Sequence, residues 1–563
     1  MSSRLIECVP NFSEGRDEGV IKQITDRIEA AEGVTLLDVD PGQATNRTVV
    51  TFVGSPEAVL DAAVAAVRKA TELIDMSKHH GAHPRFGATD VCPLVPVANI
   101  SMEETAEYAR RLARRLGEEL GMTIYCYENA AFSEKRRNLA AVRAGEYEGL
   151  AEKLTRPEWK PDFGPAKFNA RSGATAVGAR DFLVAYNVNL NTTSVRRANA
   201  IAYDVREKGR IKTDNGEPRG KPVVDQNGEQ VWEPGSLKCV KGIGWFIEEY
   251  GVAQISLNLT NIGVTPVHVA FDEVCRKAEQ RGVRVTGSEL VGLIPLAAML
   301  EAGRYFLRKQ ERSLGVSDRE LIKIAVKSLG LGELYPFKPE EKIIEYAIEA
   351  RKPKPKRLAD MTVRDFVWET ASESKAPGGG SISSAMGAMG AALGTMVANL
   401  SSHKRGWEDR WEEFSRWAEK GKACHDELLR LIDDDTDAFN RIVAAWGLPD
   451  TTAEEKAAKN RAIQAATREA IEVPLRAMEA SLACLEVCKA MAEIGNPASA
   501  SDAGVGALAA RSAVMGAYLN VKINASGVED KAWMAAILAR GAKMHEIALA
   551  LEHEILQSVL AKL

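Results

Sequence analysis

A basic excess is the first thing missing from this 563-residue sequence. Its 73 Lys and Arg are outnumbered by 78 Asp and Glu, for a net charge of −5. That balance excludes a general nucleic-acid binder, whose electrostatic footprint is basic over a whole domain. Cysteine is scarce too. The eight residues Cys8, Cys92, Cys126, Cys239, Cys275, Cys424, Cys484 and Cys488 follow no disulfide-framework spacing, which suits a reducing cytosol and makes core filling the reading for Cys484 and Cys488. The stretch Met1 to Asn11 has no charged leader before a long apolar core, so no export signal is expected. A long run of Leu, Ile and Phe is also absent. Its imitation, Ser381 to Ser402, is uncharged but built of Gly, Ala, Ser and Met, so its transfer into lipid would be weak. It reads as a buried helix in which Gly387, Gly390 and Gly394 let neighbouring helices approach closely.

What is present is enough apolar sequence, 45% of residues, to bury several full cores. To about Leu329 the pattern alternates between strand and helix. Arg4–Val9, Val34–Asp40, Arg47–Val53, Val91–Val97 and Thr123–Tyr127 read as strands, with helices at Ser55–Leu73 and Met102–Leu120. A related order returns with strands at Asp181–Asn187, Gln254–Leu259 and Val283–Thr286, and helices at Thr193–Glu207 and Phe271–Gln280. Two similar α/β subdomains, 1–180 and 181–329, with a cleft between them are therefore expected. Residues 330–357, with Lys352-Pro353-Lys354-Pro355-Lys356-Arg357 at the end, read as a linker containing one short helix at Glu340–Ala350. From 358 to 563 helical spacing predicts an all-α bundle with helices at Thr362–Ser372, Ser381–Ser402, Trp407–Ala445, Thr452–Ile494, Ser501–Val521 and Ala532–Leu563, the fourth kinked at Pro474.

The densest chemistry is His79-His80-Gly81-Ala82-His83-Pro84-Arg85, which holds three of the eight histidines. Imidazole titrates near neutrality, and a Gly/Pro loop ahead of a strand would present it to a substrate. The spacing lacks the i, i+4 pair of a helical metal site and no Cys pair stands beside it, so a general base is preferred to zinc. A solvated histidine cluster is the alternative. In the helical part, Pro377-Gly378-Gly379-Gly380-Ser381 would expose backbone N–H groups at a helix start. It lacks the residues of a nucleotide P-loop or dinucleotide fingerprint, so no nucleotide is expected. Asp433-Asp434-Asp435-Thr436-Asp437 reads by default as a solvated acidic face but could raise one carboxyl pKa by crowding, and Asn496, Asp502 and Asn524 lie at polar breaks where helix capping is the default role.

Together these motifs resemble the formimidoyltransferase-cyclodeaminase family over nearly the whole length. The transferase part is similar through Glu7 to Arg16, Leu37 to Asp40, Thr45 to Thr48, His83 to Arg85, Asp90 to Pro93, Ala185 to Leu190, and Leu257-Asn258 to Asn261. The cyclodeaminase part is similar through Pro377 to Ser381, Asp435 to Phe439, Val473 to Leu475, Gly495-Asn496 to Asp502, and Gly516 to Asn524. The resemblance implies transfer of a formimino group from N-formimino-glutamate to N5 of tetrahydrofolate, then closure to the 5,10-methenyl form with loss of ammonia, in histidine degradation and one-carbon metabolism. It implies His83 as the base, Asp40 as stabiliser of the amidinium-like intermediate, and Asp435 as the acid of the second step, with Asp437 and Asp502 in reserve. His79 and His80 would orient the loop. Asn11, Asn46, Arg47, Arg85, Asn187 and Asn189 are expected to bind substrate in the first part. Gly378, Gly379, Gly380, Ser381, Asn496, Asp502 and Asn524 are expected to do so in the second.

Tetrahydrofolate, polyglutamylated, is then a co-substrate; no metal, nucleic acid or membrane is expected, and a cytoplasmic homo-oligomer is implied. A basic track could retain the anionic tail between sites. The alternatives are formyl-glutamate transfer, methenyltetrahydrofolate cyclohydrolase activity, or a bundle that serves mainly oligomerisation.

Overall fold

The computed structural model describes residues 4–42, 46–81, 85–216, 220–351 and 357–563. The chain divides into two compact units, Met1–Ala302 with Val326–Pro353, and Gly303–Ala325 with Lys354–Leu563.

In the first unit, two subdomains repeat one connectivity. The first runs Leu5–Cys8 and Asn11–Phe12 as one interrupted strand, the helix Glu18–Glu29, strands Val34–Gly42 and Arg47–Gly54, the helix Pro56–Leu73, then the strand Thr89–Ala98. The second runs Val184–Leu190, helix Val195–Val205, strands Val240–Ile247 and Val252–Leu259, helix Val267–Glu279, and Val285–Val291. Each sheet places these strands antiparallel in the order second, third, first, fourth, the ferredoxin-like arrangement. The first subdomain adds Ala174–Ala179 and Thr123–Glu128 in parallel at one edge, with the helix Met102–Glu119 as crossover, its start fixed by the Ser101/Glu104 capping box.

Strand alternation decides what each sheet face can do. Ile6, Cys8, Phe12, Val50, Phe52, Cys92 and Leu94 pack against the apolar sides of the first subdomain's helices. Their neighbours Glu7, Val9, Asn11, Arg47, Val49, Thr51, Val91 and Pro93 face away from that core, toward a cavity. Within the segment read as a linker, Ile344–Arg351 is helical, and its Ile344, Ala347 and Ile348 are buried against Leu37 and Val53. Apolar spacing at 344, 347 and 348 gave that helix a face to bury.

The second unit is all-helical. Gly379–Ser402 lies against Trp411–Trp446, Ala453–Ile494 and Ala500–Asn524, and Lys531–Leu560 packs beside the last two. Gly379–Ser402 is long and apolar enough by composition to cross a membrane, and 67% of its most apolar stretch is buried among its neighbours. Close approach explains its glycines: a Cβ on Gly390 would sit 2.7 Å from the Gly506 carbonyl oxygen. The turn after Lys309 docks on the bundle, where the Leu314 N–H donates to Ser415 Oγ at 3.0 Å and Asn399 Nδ2 donates to the Gly315 carbonyl at 2.9 Å.

Pro474 sits inside Ala453–Ile494, which runs on through it as one helix. Proline has no N–H to give the carbonyl four residues back. The Ala470 carbonyl instead accepts from Asn524 Nδ2 at 3.0 Å. A side chain thus replaces the missing rung.

Candidate active sites

The first unit holds a cavity of about 890 Å³ between its subdomains. Its floor is the open face of the larger sheet, carrying Glu7, Asn11, Asp38, Asp40 and Arg47, with Arg143 and Arg180 at the side. Facing them is one row of the four-stranded sheet, in which Lys241 pairs with Asn258, Asn258 with Ala185, and Ala185 with Val291. Helices cover the other faces, so the open faces are left to form the cleft.

Burial and charge set the states of these groups. Glu7 is 4% exposed, and burial pushes its carboxyl up to about 7 against the pull of Arg180. Asp38 is raised by burial and then by Asp40. Asp90 is buried beneath the cavity, and burial raises it to about 6 although its Oδ2 is ion-paired with Arg143. Burial holds Arg47 below its ordinary range, with Asp90 opposing. Two guanidinium groups on the cavity wall, Arg47 and Arg143, thus share one buried counter-charge, which suits them to anionic substrate groups.

Asn11, Asp40 and Arg47, expected to bind or act on substrate, line the cavity. Asn46 instead organises the histidine loop. Its Oδ1 accepts from the Gly15 N–H at 3.0 Å, its Nδ2 donates to the His80 carbonyl at 2.9 Å, and its own carbonyl lies 2.8 Å from His79 Nε2. Asn46 has φ 48°, which Asn tolerates better than most residues. Arg85 is a clamp for the same loop: it donates to the Met76 and His79 carbonyls at 3.3 and 2.5 Å, pairs with Glu148 and lies over Tyr147. His79 is buried, which lowers its pKa, while His80 is exposed. Residues 82–84, and with them His83, lie outside the described residues. Asn187 and Asn189 face the cavity side of their sheet, one and two rows past its wall. They donate to Glu289 Oε2 at 3.0 Å and Glu333 Oε2 at 2.5 Å, in a network with Gln254, Tyr250 and Tyr335.

In the bundle, the glycine-rich turn and the acidic cluster meet. Asp435 Oδ2 accepts from the Ser381 N–H at 2.9 Å and Ser381 Oγ at 3.1 Å, capping the start of Gly379–Ser402. A Cβ on Gly380 would fall 2.1 Å from Asp435 Oδ1, so only glycine admits that carboxylate, whereas Gly378 has open space around it. Asp435 is raised by burial, not by crowding among like charges. Successive helical residues point about 100° apart, so the cluster disperses: Asp433 accepts from the Leu358 N–H at 2.7 Å, Asp434 pairs with Arg476 at 3.6 Å, and Asp437 is exposed.

Asn520, beside Gly379, joins this end of the bundle, as does Asn524 in its rung to Ala470. Asn496 and Asp502 do not. The Asn496 N–H donates to Ser401 Oγ at 2.8 Å, and its Oδ1 accepts from Ala498, while Asp502 sits in the first turn of Ala500–Asn524. That is the far end of a 24-residue helix, about 36 Å from Gly379.

Comparison with known proteins matches this division. The formiminotransferase domain, N-terminal subdomain, matches residues 5–180, the formiminotransferase domain residues 185–349, and the formiminotransferase-cyclodeaminase family residues 362–543. A formimidoyltransferase-cyclodeaminase of Gallus gallus is 45% identical over 94% of both chains. The chain belongs to the formimidoyltransferase-cyclodeaminase family. Its two parts also have separate relatives. Glutamate formimidoyltransferase of Streptococcus pyogenes is 39% identical over 55% of this chain and 95% of its own. Methenyltetrahydrofolate cyclohydrolase of Methylorubrum extorquens is 36% identical over 36% of this chain and 97% of its own. The two formiminotransferase-domain matches cover the unit with the cleft and the formiminotransferase-cyclodeaminase match covers the bundle, so each candidate site falls in a different part.

Sequence reasoning passed over Arg143 and Arg180, and quoted Glu7 and Asp90 only within motifs. A signal for Glu7 was available: a carboxylate between Ile6 and Cys8 in an otherwise apolar strand has to be paired, protonated or in use. Arg143 had none, since it reaches the cavity from a five-residue helix, Leu139–Arg143, whose place is set by distant contacts.

Proposed function

We propose that the chain transfers the formimino group of N-formimino-glutamate to N5 of tetrahydrofolate in the cleft of its first unit. The bundle then closes N10 onto the same carbon, giving 5,10-methenyl-tetrahydrofolate and ammonia. The observation that carries this is the 45% identity, over 94% of both chains, to a formimidoyltransferase-cyclodeaminase. The cleft supports it chemically: about 890 Å³ suits a folate-sized ligand, and Arg47, Arg143 and Lys241 supply cations for a dicarboxylic donor and a folate tail.

In the first step N5 attacks the amidine carbon, and positive charge grows on N5 until a base removes its proton. His83 is assigned that role, worth typically about 10² to 10⁴ in rate. Asp40, on the cavity wall, stabilises the amidinium-like intermediate. In the second step the departing amine needs a proton, and Asp435, kept protonated to higher pH by burial, donates it at the glycine-rich turn. Polyglutamylated folate, a cytoplasmic location and a homo-oligomer belong to the same reading, and a charged track for the tail predicts salt-sensitive transfer of intermediate.

A second reading, cyclohydrolase activity of the bundle, draws support from the Methylorubrum extorquens relative. A coupled assay decides between them. With N-formimino-glutamate and tetrahydrofolate, ammonia and methenyl absorbance should rise together. Methenyl hydrolysis without ammonia release from 5-formimino-tetrahydrofolate would favour the cyclohydrolase, and transfer from formyl-glutamate alone would overturn the donor.

A further inference from the structure

Glu7 is the most heavily buried carboxylate facing the cleft, and the mechanism above gives it no task. It sits midway along Leu5–Cys8, paired with Val53 on one side and Val95 on the other, with its side chain on the cavity floor. Among the described residues no side chain or backbone N–H donates a hydrogen bond to its carboxyl. A carboxyl buried in a sheet with no donor costs stability that a leucine there would not, and such costs concentrate where a group is used.

The transfer reaction leaves one proton unassigned. After N5 has added and lost its proton, the bond between the former amidine carbon and the glutamate nitrogen must break, with the electron pair going to that nitrogen. An alkylamide is too basic to leave, so a proton has to arrive as the bond breaks. We infer that Glu7 is the general acid of the transfer step, delivering its carboxyl proton to the glutamate nitrogen as the carbon–nitrogen bond breaks. The nitrogen departs as the amine of free glutamate, the formimino carbon stays on N5, and Glu7 recovers a proton from water before the next turnover. This rests on the transferase reading and deepens it.

The surroundings fit the task. Burial keeps the carboxyl protonated up to about pH 7, so the acid form is present at neutrality. The charged groups sharing its cavity are Arg180 beside it and, around the walls, Asp38, Asp40, Arg47, Glu128, Arg143, Asp181 and Lys241. Arg180 keeps it from being too weak an acid, and Arg47 and Arg143 can hold the donor's carboxylates nearby.

The test is Glu7→Gln in the full chain. The expected result is a fall of 10²-fold or more in transfer kcat, a KM for N-formimino-glutamate within a few-fold of the parent, and loss of the basic limb near pH 7 from the kcat/KM profile. Cyclodeaminase turnover on supplied 5-formimino-tetrahydrofolate should stay within two-fold. An S-formimidoyl derivative of 2-mercaptoglutarate, whose thiolate leaves without a proton, should be used almost as well by the variant as by the parent. Transfer at the parental rate, or a slow variant that keeps the basic limb and is equally slow with the thio donor, overturns the role of Glu7. Failure of the parent chain itself to transfer from N-formimino-glutamate would instead overturn the functional reading.

Discussion

The rung between Asn524 and Ala470 can be tested by removing each half. In Asn524→Ala the Ala470 carbonyl, on a residue 7% exposed, loses its donor, and Pro474 offers no replacement. Losing the bond and leaving a buried acceptor unpaired costs about 2 kcal/mol, roughly a 30-fold rise in the local opening constant. In a Pro474→Ala background the N–H of residue 474 can bond Ala470 as in any helix, so the same substitution should cost about 0.5 kcal/mol or less. The expected coupling energy is therefore about 1.5 kcal/mol. Hydrogen exchange of the turn around Ala470, with urea unfolding of the four chains of the cycle, reads both numbers. An equal penalty in the two backgrounds would refute the reasoning. The cycle also bears on function, because Asn524 was expected to bind substrate. With its amide spent on Ala470, cyclodeaminase kcat should hold within two-fold, whereas a hundred-fold loss at unchanged stability would return Asn524 to the substrate.

Glu7→Gln should raise stability while lowering activity. Below the usual carboxyl pKa of 4.5 both states of the parent are protonated; as pH climbs to about 7 the unfolded chain ionises first, so folding loses up to about 3 kcal/mol across that window. The variant should match the parent near pH 4 and exceed it at pH 8 in urea titrations, and parallel pH curves would contradict this. Gly380→Ala should cost about 1–3 kcal/mol and most of the ammonia release, since its Cβ meets Asp435, while Gly378→Ala, in open space, should be near neutral in both. Asp435→Asn keeps an oxygen for the Ser381 cap, so the fold should persist while ammonia release from 5-formimino-tetrahydrofolate stops. Release at the parental rate would move the acid elsewhere. His83→Ala should abolish transfer and spare cyclodeamination, which parallel assays of the two half-reactions would reveal.

Local pattern carried a good deal of this protein. Helical periodicity placed the long bundle helices to within a few residues, and strand alternation found the paired strands Val34–Gly42 and Arg47–Gly54. Several elements escaped it, among them the strand Ala174–Ala179 and the helices Leu296–Lys309 and Asp318–Leu329. The strand Val240–Ile247 contains Gly242 and Gly244, which weaken a strand signal. Helix Glu18–Glu29 places Gly19 in its first turn and carries several β-branched residues, both of which weaken a helix signal. Motif resemblance also named residues that the fold separates, Asn496 and Asp502 standing at the far end of the bundle from Asp435.

The sequence by itself determined the two classes of architecture, the repeated subdomain, the family and the types of chemistry present, because periodicity and motif spacing are properties of neighbouring residues. Tertiary structure alone decided which polar side chains reach the cavity and which are turned to holding the chain together. Asn11, Asp40 and Arg47 face the cavity, while Asn46, Arg85, Asn187, Asn189 and Asn524 serve the fold. It also decided that a carboxyl at position 7 would be driven toward neutrality. Both depend on which faces are brought together across hundreds of residues, and on how much water is excluded there, and neither is written in any local stretch of chain.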